Sequence, residues 1–530
     1  MKFRLYVALF IFIFFLAIFL RLYSINNYHG VSFNGMFSEP LYGDEAAYYE
    51  LGRNVYLGEG PVEYVIWDLW AHNNIPHLHS FYPPFFAYLI GPLFYIFGES
   101  TFVIRLFMLI ISLSTVILTY YIGAKIYDKK IGLLAMFFMA INPFHVFHSG
   151  LIMIETLFTF LVTLSITFAY FAISKGKLVH WIFLGIFLGL STITRYFGFL
   201  LLISLLLILI IRWRKINWKY FCYFAAIFIL VILPVGIQTY KEFGTPFYST
   251  SIYMKYVDHR LTYYEPVKPS FDSYFGQPIS KIIYDRLYGV GRILTTLPRI
   301  FNPFIFAFLF LSILFIDKFI FLSLGLFFVF NSLLVLSIGP GYLIGERYLI
   351  YFVPVLYVIS SVAFYKILFD KKFDEKYKNI VVIIILMLTF VSSLAMIQYQ
   401  TNDYPNPENR KILGFNDLDL SLMGKWIRDN IPEEAVVMSD STYLLRYFSN
   451  RSVVFNPYIR TSSTDPEKLS QEAKNIHIEQ VKRFNVSYLL IEPKGETSNE
   501  NILFGFNSFK PILLHKEGNF SLYRINPESR

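Results

Sequence analysis

Apolar runs of about 20 residues recur through most of the chain, each long enough to cross a hydrocarbon layer about 30 Å thick. The first runs from Leu5 to Leu20 and is closed by Arg21. Further runs read at 84–97, 101–124, 131–148, 150–173, 180–196, 197–212, 220–238, 298–316, 319–338, 347–368 and 379–397. With 55% hydrophobic and only 16% charged residues, a soluble protein of 530 residues would lack the polar surface to cover its core. The implied fold class is a polytopic α-helical membrane protein.

The remaining composition excludes other classes. The net charge of +9 comes from basic residues in short gaps between apolar runs, not from a basic patch interleaved with aromatics, so it does not signal nucleic acid. The single cysteine, Cys222, rules out an intrachain disulfide framework and a cysteine-based zinc site. Lys2 and Arg4 precede the first run, but no small-residue cleavage site follows it. The expectation is an uncleaved helix with a cytoplasmic N-terminus.

The run at 84–97, "PPFFAYLIGPLFYIFG", is short and carries three prolines and two glycines. Such a segment lies in the interface or re-enters rather than spans. With it set aside, the cationic gaps fall on one side of the membrane. These are Lys2 with Arg4, Lys125 with Lys129 and Lys130, Lys175 with Lys177, Arg212 to Lys219, Lys318, and the run from Lys366. If 84–97 spanned, every later gap would invert and contradict the N-terminus. The topology is therefore about 11 transmembrane helices, with 12 or 13 if breaks are miscounted. A transmembrane domain covers 1–397. Two long extracytoplasmic loops, 23–83 and 239–297, and a tail, 398–530, lie on the opposite face from the cationic gaps.

The tail is different material. "DLDLSLMGKWIRDNIPEE" reads as an amphipathic helix, "AVVMSD" and "VSYLLIE" as short buried strands, and "PEKLSQEAKNIHIEQVKRF" as a helical run between them. This alternation predicts a small α/β domain. It carries no glycine-rich phosphate loop and no catalytic triad, which favours acceptor recognition or a cover over a site.

Chemistry-bearing residues gather near the outer face. "YGDEAAYYELG" places Asp44 and Glu45 at the start of a helix expected over 44–57. Acids at a helix start serve as caps and dipole partners, and the same position holds a carboxylate rigidly for chemistry. "HLHSFYPPFF" holds His77, His79 and Tyr82, a two-histidine spacing with no third metal ligand. Arg105 lies one turn into the next apolar helix, where it either snorkels or meets a phosphate. His145 and His148 stand one turn apart at a helix end. Glu155 opens the next helix, where it can pair with Arg195 at a later junction. Glu346 and Arg347 open another. Ionisable groups inside membrane segments cost a few kcal/mol unless paired or hydrated, so they mark functional sites.

These pieces together resemble the GT-C glycosyltransferases, and glycosyltransferase family 39 in particular, which includes protein O-mannosyltransferases and aminoarabinose transferases acting on lipid A. The resemblance rests on "YGDEAAYYELGRNV", "FYPPFFAYLIGPLFYIFGESTFVIRL", the helical stretch 101–212 and "GERYLIYFVP". It covers about the first 400 residues. It implies a polyprenyl-phosphate sugar donor, such as dolichyl phosphate mannose, and transfer with inversion on the outer face. The acceptor is a lipid, a glycan or a protein. By resemblance Asp44 is the catalytic base, and Glu45 orients the acceptor or tunes Asp44. Arg195, Arg347 and Arg105 are candidates for the donor phosphate, with Tyr82, His145, His148, Glu155 and Glu346 as further site candidates. Arg195 departs from the lysine that relatives often carry. The second large loop lacks the soluble insertion of some eukaryotic O-mannosyltransferases, which weakens the case for a protein acceptor. No cofactor is specified, and a divalent metal is compatible with the residues. The competing reading is a lipid-linked glycan flippase or transporter. That would call for repeated halves and acids at mid-membrane, neither of which stands out.

The topology predicts that reporters fused after residues 128, 175 and 371 all register the cytoplasm. An external signal at any of them breaks the assignment.

Overall fold

The computed structural model describes residues 2–27, 40, 43–67, 70–211, 216–251, 253, 268, 270–337, 345–370, 375–403, 418–456, 478–491 and 506–526. Residues 212–215, residues 338–344 and the greater part of the helical run expected between the tail strands lie outside these. Of that run, 478–483 is helical.

The transmembrane part is a bundle of helices. Among the described residues, seven are long and apolar enough to cross a membrane. They are α1 (Lys2–Asn26), α4 (Thr101–Ile126), α7 (Ile154–Lys175), α10 (Trp218–Phe243), α14 (Lys318–Ser337), α15 (Val353–Tyr365, with its flanking turns) and α16 (Glu375–Gln398). A bent pair, α12 (Ile279–Phe301) and α13 (Pro303–Leu311), makes an eighth. Its halves meet at 113°, so α12 lies across the direction that α13 follows. Shorter apolar helices are α8 (Leu178–Thr194) and α9 (Phe197–Ile211), and α5 (Lys129–Ala140) breaks before the single-turn α6 (Pro143–His148). Among the described residues the count of helices long enough to cross is thus seven or eight, against the eleven expected from the sequence; α5, α8 and α9 fall short of it by length. A one-turn helix, α11 (Phe271–Phe275), precedes α12.

The run at 84–97 forms α3 (Phe85–Phe97), 13 residues long. At 1.5 Å per residue it extends about 20 Å, too short to cross. It packs instead on α2 (Gly43–Tyr56), the helix that carries the acid pair. Two glycines allow the contact. A Cβ on Gly52 would lie 2.2 Å from Ile90 Cγ2, and one on Gly91 would lie 2.5 Å from Val55 Cγ1.

The bundle has two chemically distinct ends. At one, Lys130 donates to the Tyr365 hydroxyl at 2.9 Å and Lys366 sits 5.2 Å from the Phe315 ring centre. Three of the cationic gaps thus share an end. At the other end lie α2 and a six-stranded sheet.

That sheet has strand order β2-β5-β4-β6-β8-β7. The members from the tail are β4 (Val436–Ser439), β5 (Ser452–Phe455), β6 (Val486–Ile491), β7 (Ile512–Glu517) and β8 (Phe520–Arg524). The β2 strand is Val65–Ile66 of the first loop, which pairs in parallel with Val453 and Val454 of β5. Nearby, β1 (Val62–Glu63) and β3 (His77–Leu78) form a separate antiparallel pair. Helices α17 (Leu418–Asn430) and α18 (Thr442–Ser449) cover one face of the large sheet through Leu420, Met423, Leu445 and Phe448. The side chains of Val481, Phe484, Phe506 and Phe509 cover the other. Helix α18 also meets α2. Arg446 donates to the buried Glu50 carboxylate at 2.6 Å, and Tyr447 packs edge-on against Tyr49.

Gly52→Leu is expected to overpack the α2–α3 crossing and to cost about 1–3 kcal/mol. Gly291→Ala, where a Cβ meets nothing within 4 Å in the middle of α12, is expected to be neutral or stabilising. Thermal unfolding of both variants in detergent tests the contrast.

Candidate functional site

Asp44 and Glu45 occupy the first turn of α2, where free backbone N–H groups favour acids. Adjacent residues on a helix point about 100° apart, and the two carboxylates have different surroundings. Glu45 is fully buried. Its Oε1 accepts from the Ile152 backbone N–H at 2.7 Å and lies 3.4 Å from Arg105 Nη1. Arg105, also fully buried, donates in addition to the Gly150 carbonyl. Glu45 therefore fastens α2 to α4 and to the bend between α6 and α7. The guanidinium of Arg105, expected at the donor phosphate, is turned inward onto Glu45 and Gly150. Asp44 faces the other way, with 41% of its side chain exposed, and its Oδ2 accepts from Arg347 Nη1 at 3.1 Å.

Arg347 belongs to a tight helical turn, Glu346–Tyr348, that leads into α15. Next to it, Arg195 caps the C-terminus of α8. The Arg195 Nη1 donates to Glu155 Oε1 at 3.0 Å and to the Tyr351 hydroxyl at 2.6 Å. Its guanidinium carbon lies 5.0–5.9 Å from the ring centres of Tyr348, Phe197, Tyr351 and Tyr82. Tyr348 also lies 5.4 Å from Arg347, so one phenol serves both cations.

The histidines divide. His145 is drawn toward α1, where its Nδ1 meets Arg21 Nη2 at 2.9 Å. Arg21 is itself buried and also bonds Ser112 and the Ala140 carbonyl. His148, one turn on, lies near the charges of Glu155, Arg347, Glu346 and Arg195. The structure thus brings Asp44, Tyr82, His148, Glu155, Arg195, Glu346 and Arg347 together, and sets Glu45, Arg105 and His145 into the packing behind them. His77 and His79 both contact Glu63, at 3.6 and 2.5 Å. Each has both ring nitrogens in hydrogen bonds. Among the described residues, no group of three or more His, Cys, Asp or Glu side chains is arranged to hold a metal.

Tyr48, Tyr348, Tyr351 and Glu63 were not singled out from the sequence. Tyr348 and Tyr351 stand in "GERYLIYFVP", one and four residues after Arg347, so the motif carried them in plain sight. For Glu63 no local signal exists.

Residues 82–237 match the family described as dolichyl-phosphate-mannose-protein mannosyltransferase. No curated protein matches the sequence. The structure is similar to the archaeal oligosaccharyltransferase AglB from Archaeoglobus fulgidus, solved in complex with an inhibitory peptide and a dolichol-phosphate. The TM-score is 0.65 at 15% identity, over 98% of this chain and 74% of that one. It is also similar to ArnT from Cupriavidus metallidurans in the apo state, with TM-score 0.59 at 10% identity over 98% of this chain and 97% of that one. The same enzyme bound to undecaprenyl phosphate gives 0.60 at 9% identity, over 97% of each chain. The chain has the GT-C fold.

The split between the acids has a measurable consequence. Glu45→Ala removes the carboxylate from a buried arginine and is expected to cost about 3–5 kcal/mol. Asp44→Asn, at a half-exposed pair, is expected to change stability by at most about 1 kcal/mol. Denaturant or thermal unfolding in detergent checks both.

Proposed function

We propose that this protein is a membrane glycosyltransferase. It moves a sugar from a polyprenyl-phosphate carrier to an acceptor hydroxyl, with inversion, at the end of the bundle that carries the tail sheet. The observation that carries this reading is the half-exposed Asp44 carboxylate 3.1 Å from Arg347, with Arg195 sharing the Tyr348 ring behind it. The lipid phosphates in the AglB and ArnT structures support the donor class, because both belong to proteins of this fold.

The chemistry follows from the groups present. An acceptor hydroxyl is a poor nucleophile, and Asp44 takes its proton as the new C1–O bond forms. The bond from C1 to the phosphate oxygen breaks, and the polyprenyl phosphate leaves as an anion that needs no proton. Attack from the face opposite the phosphate inverts C1, as in inverting glycosidases. Charge builds on the departing phosphate, so cations fixed beforehand favour the transition state over the ground state. Arg347 and Arg195 fill that role, and a guanidinium can offer phosphate two parallel hydrogen bonds. Arg347 contacts Asp44 at 3.1 Å, so the phosphate-binding cation and the base adjoin. Glu45 and Arg105 fix the start of α2 instead of touching substrate. With the N-terminus in the cytoplasm, the site faces outward, where acceptors of the cell envelope lie.

With a radiolabelled polyprenyl-phosphate monosaccharide, the purified protein should release sugar to acceptor or water. Asp44→Asn should reduce release by roughly 10²–10⁴-fold with the melting temperature unchanged. Undiminished turnover in that variant removes Asp44 as base. Movement of glycan lipid across vesicles without bond cleavage supports the flippase reading.

A further inference from the structure

The first loop holds a buried acid–imidazole pair that the proposed reaction does not use. The Glu63 carboxylate, 5% exposed at the end of β1, lies 2.5 Å from His79 Nδ1. The other nitrogen of His79, Nε2, accepts the backbone N–H of Tyr82 at 3.0 Å. A ring nitrogen that accepts cannot carry the proton, so the two contacts select one tautomer, protonated on the side of Glu63. Both nitrogens are engaged, which leaves His79 neither a free base nor a metal ligand. Burial would raise the Glu63 carboxyl, but His79 and His77 outweigh it and keep its pKa below the usual value, so Glu63 stays a carboxylate that accepts the Nδ1–H of His79.

Tyr82 is the point where this pair reaches the site. Its ring stacks on Tyr48 with centres 5.5 Å apart, and Arg195 lies 5.9 Å from its centre. Burial raises its phenol, with Asp44 adding to the shift and Arg347 and Arg195 opposing it, so the hydroxyl lies within the field of all three charges. The segment leading into Tyr82 has other anchors, which hold the residues before it: the His79 N–H donates to the Pro61 carbonyl at 3.0 Å, and the Ser80 hydroxyl meets His72 Nε2 at 2.9 Å. Thr250 N–H donates to the Ser80 carbonyl at 3.0 Å, and the Ser249 hydroxyl to the Phe81 carbonyl at 2.9 Å. Two prolines follow Tyr82 and supply no N–H of their own.

We propose that Glu63 and His79 act as a positioning pair that locks the backbone at Tyr82 and so holds the aromatic wall of the Arg195–Arg347 cluster in place for the lipid phosphate. The inference rests on the reading of that cluster as the donor-phosphate site. Neither residue touches substrate. Their effect falls on donor affinity and not on the proton transfer assigned to Asp44.

The test uses the full chain in nanodiscs, with variants His79→Leu, His79→Gln and Glu63→Gln. Hydrogen exchange reports the Tyr82 amide, and a binding titration with undecaprenyl phosphate reports the site. His79→Leu should speed Tyr82 exchange at least tenfold and weaken undecaprenyl phosphate about tenfold. In transfer assays it should raise the donor KM by a similar factor with kcat within about threefold. His79→Gln, which still offers an acceptor to the amide, should restore much of the protection and affinity. If His79→Leu does not fold, Glu63→Gln decides, with smaller changes of the same sign expected. Unchanged Tyr82 exchange, or unchanged phosphate affinity despite faster exchange, overturns the proposal. Wild-type protein that binds undecaprenyl phosphate but transfers no sugar overturns the enzymatic reading and leaves the positioning pair standing.

Discussion

The arrangement depends on one buried carboxylate. Glu45 reaches from the start of α2 to the Ile152 amide and to Arg105, and so fixes a short helix against the transmembrane helices beside it. A helix pinned at one residue of its first turn has little freedom of rotation there. The neighbouring side chain is then turned about 100° away, which brings Asp44 outward toward Arg347. Burying a charge pair costs desolvation that only good partners recover. Here the return is geometric. The Asp44 carboxylate is oriented by its neighbour and not by long flexible contacts of its own.

Much of the architecture was legible in the sequence because membrane crossing is a matter of length and composition. The apolar runs gave the helices, and the brevity expected of 84–97 appears as a helix of 13 residues packed on α2. The clustering of the cationic gaps at one end also appears in the contacts of Lys130 and Lys366. Local pattern could not show partners. Nothing in "TFVIRL" says that Arg105 turns inward to Glu45, because that contact joins residues 60 positions apart. The same holds for Arg21 and His145, 124 apart. The expectation that Glu155 can pair with Arg195 came from topology, which brings both to one end, and the two meet at 3.0 Å.

The tail and the first loop also defied separation by sequence. A two-residue strand, Val65–Ile66, is too short to carry a periodicity, yet it forms one edge of the six-stranded sheet. The Glu50–Arg446 contact and the Tyr49–Tyr447 pair add side-chain links between α2 and α18. The helix bearing Asp44 is thus held from below by Glu45 and from above by the tail. Whatever shifts the tail sheet bears directly on the placement of the carboxylate.

The parallel pairing of β2 with β5 also sets the order in which the molecule is completed. Val65 leaves the ribosome about 400 residues before Val453, its partner. At about 5–20 residues per second, the first loop waits roughly 20–80 s for the strand that finishes its sheet. A nascent chain can therefore have nearly all of its helices inserted and still lack the structure that steadies α2, so completion of the fold is deferred to the last stage of its synthesis.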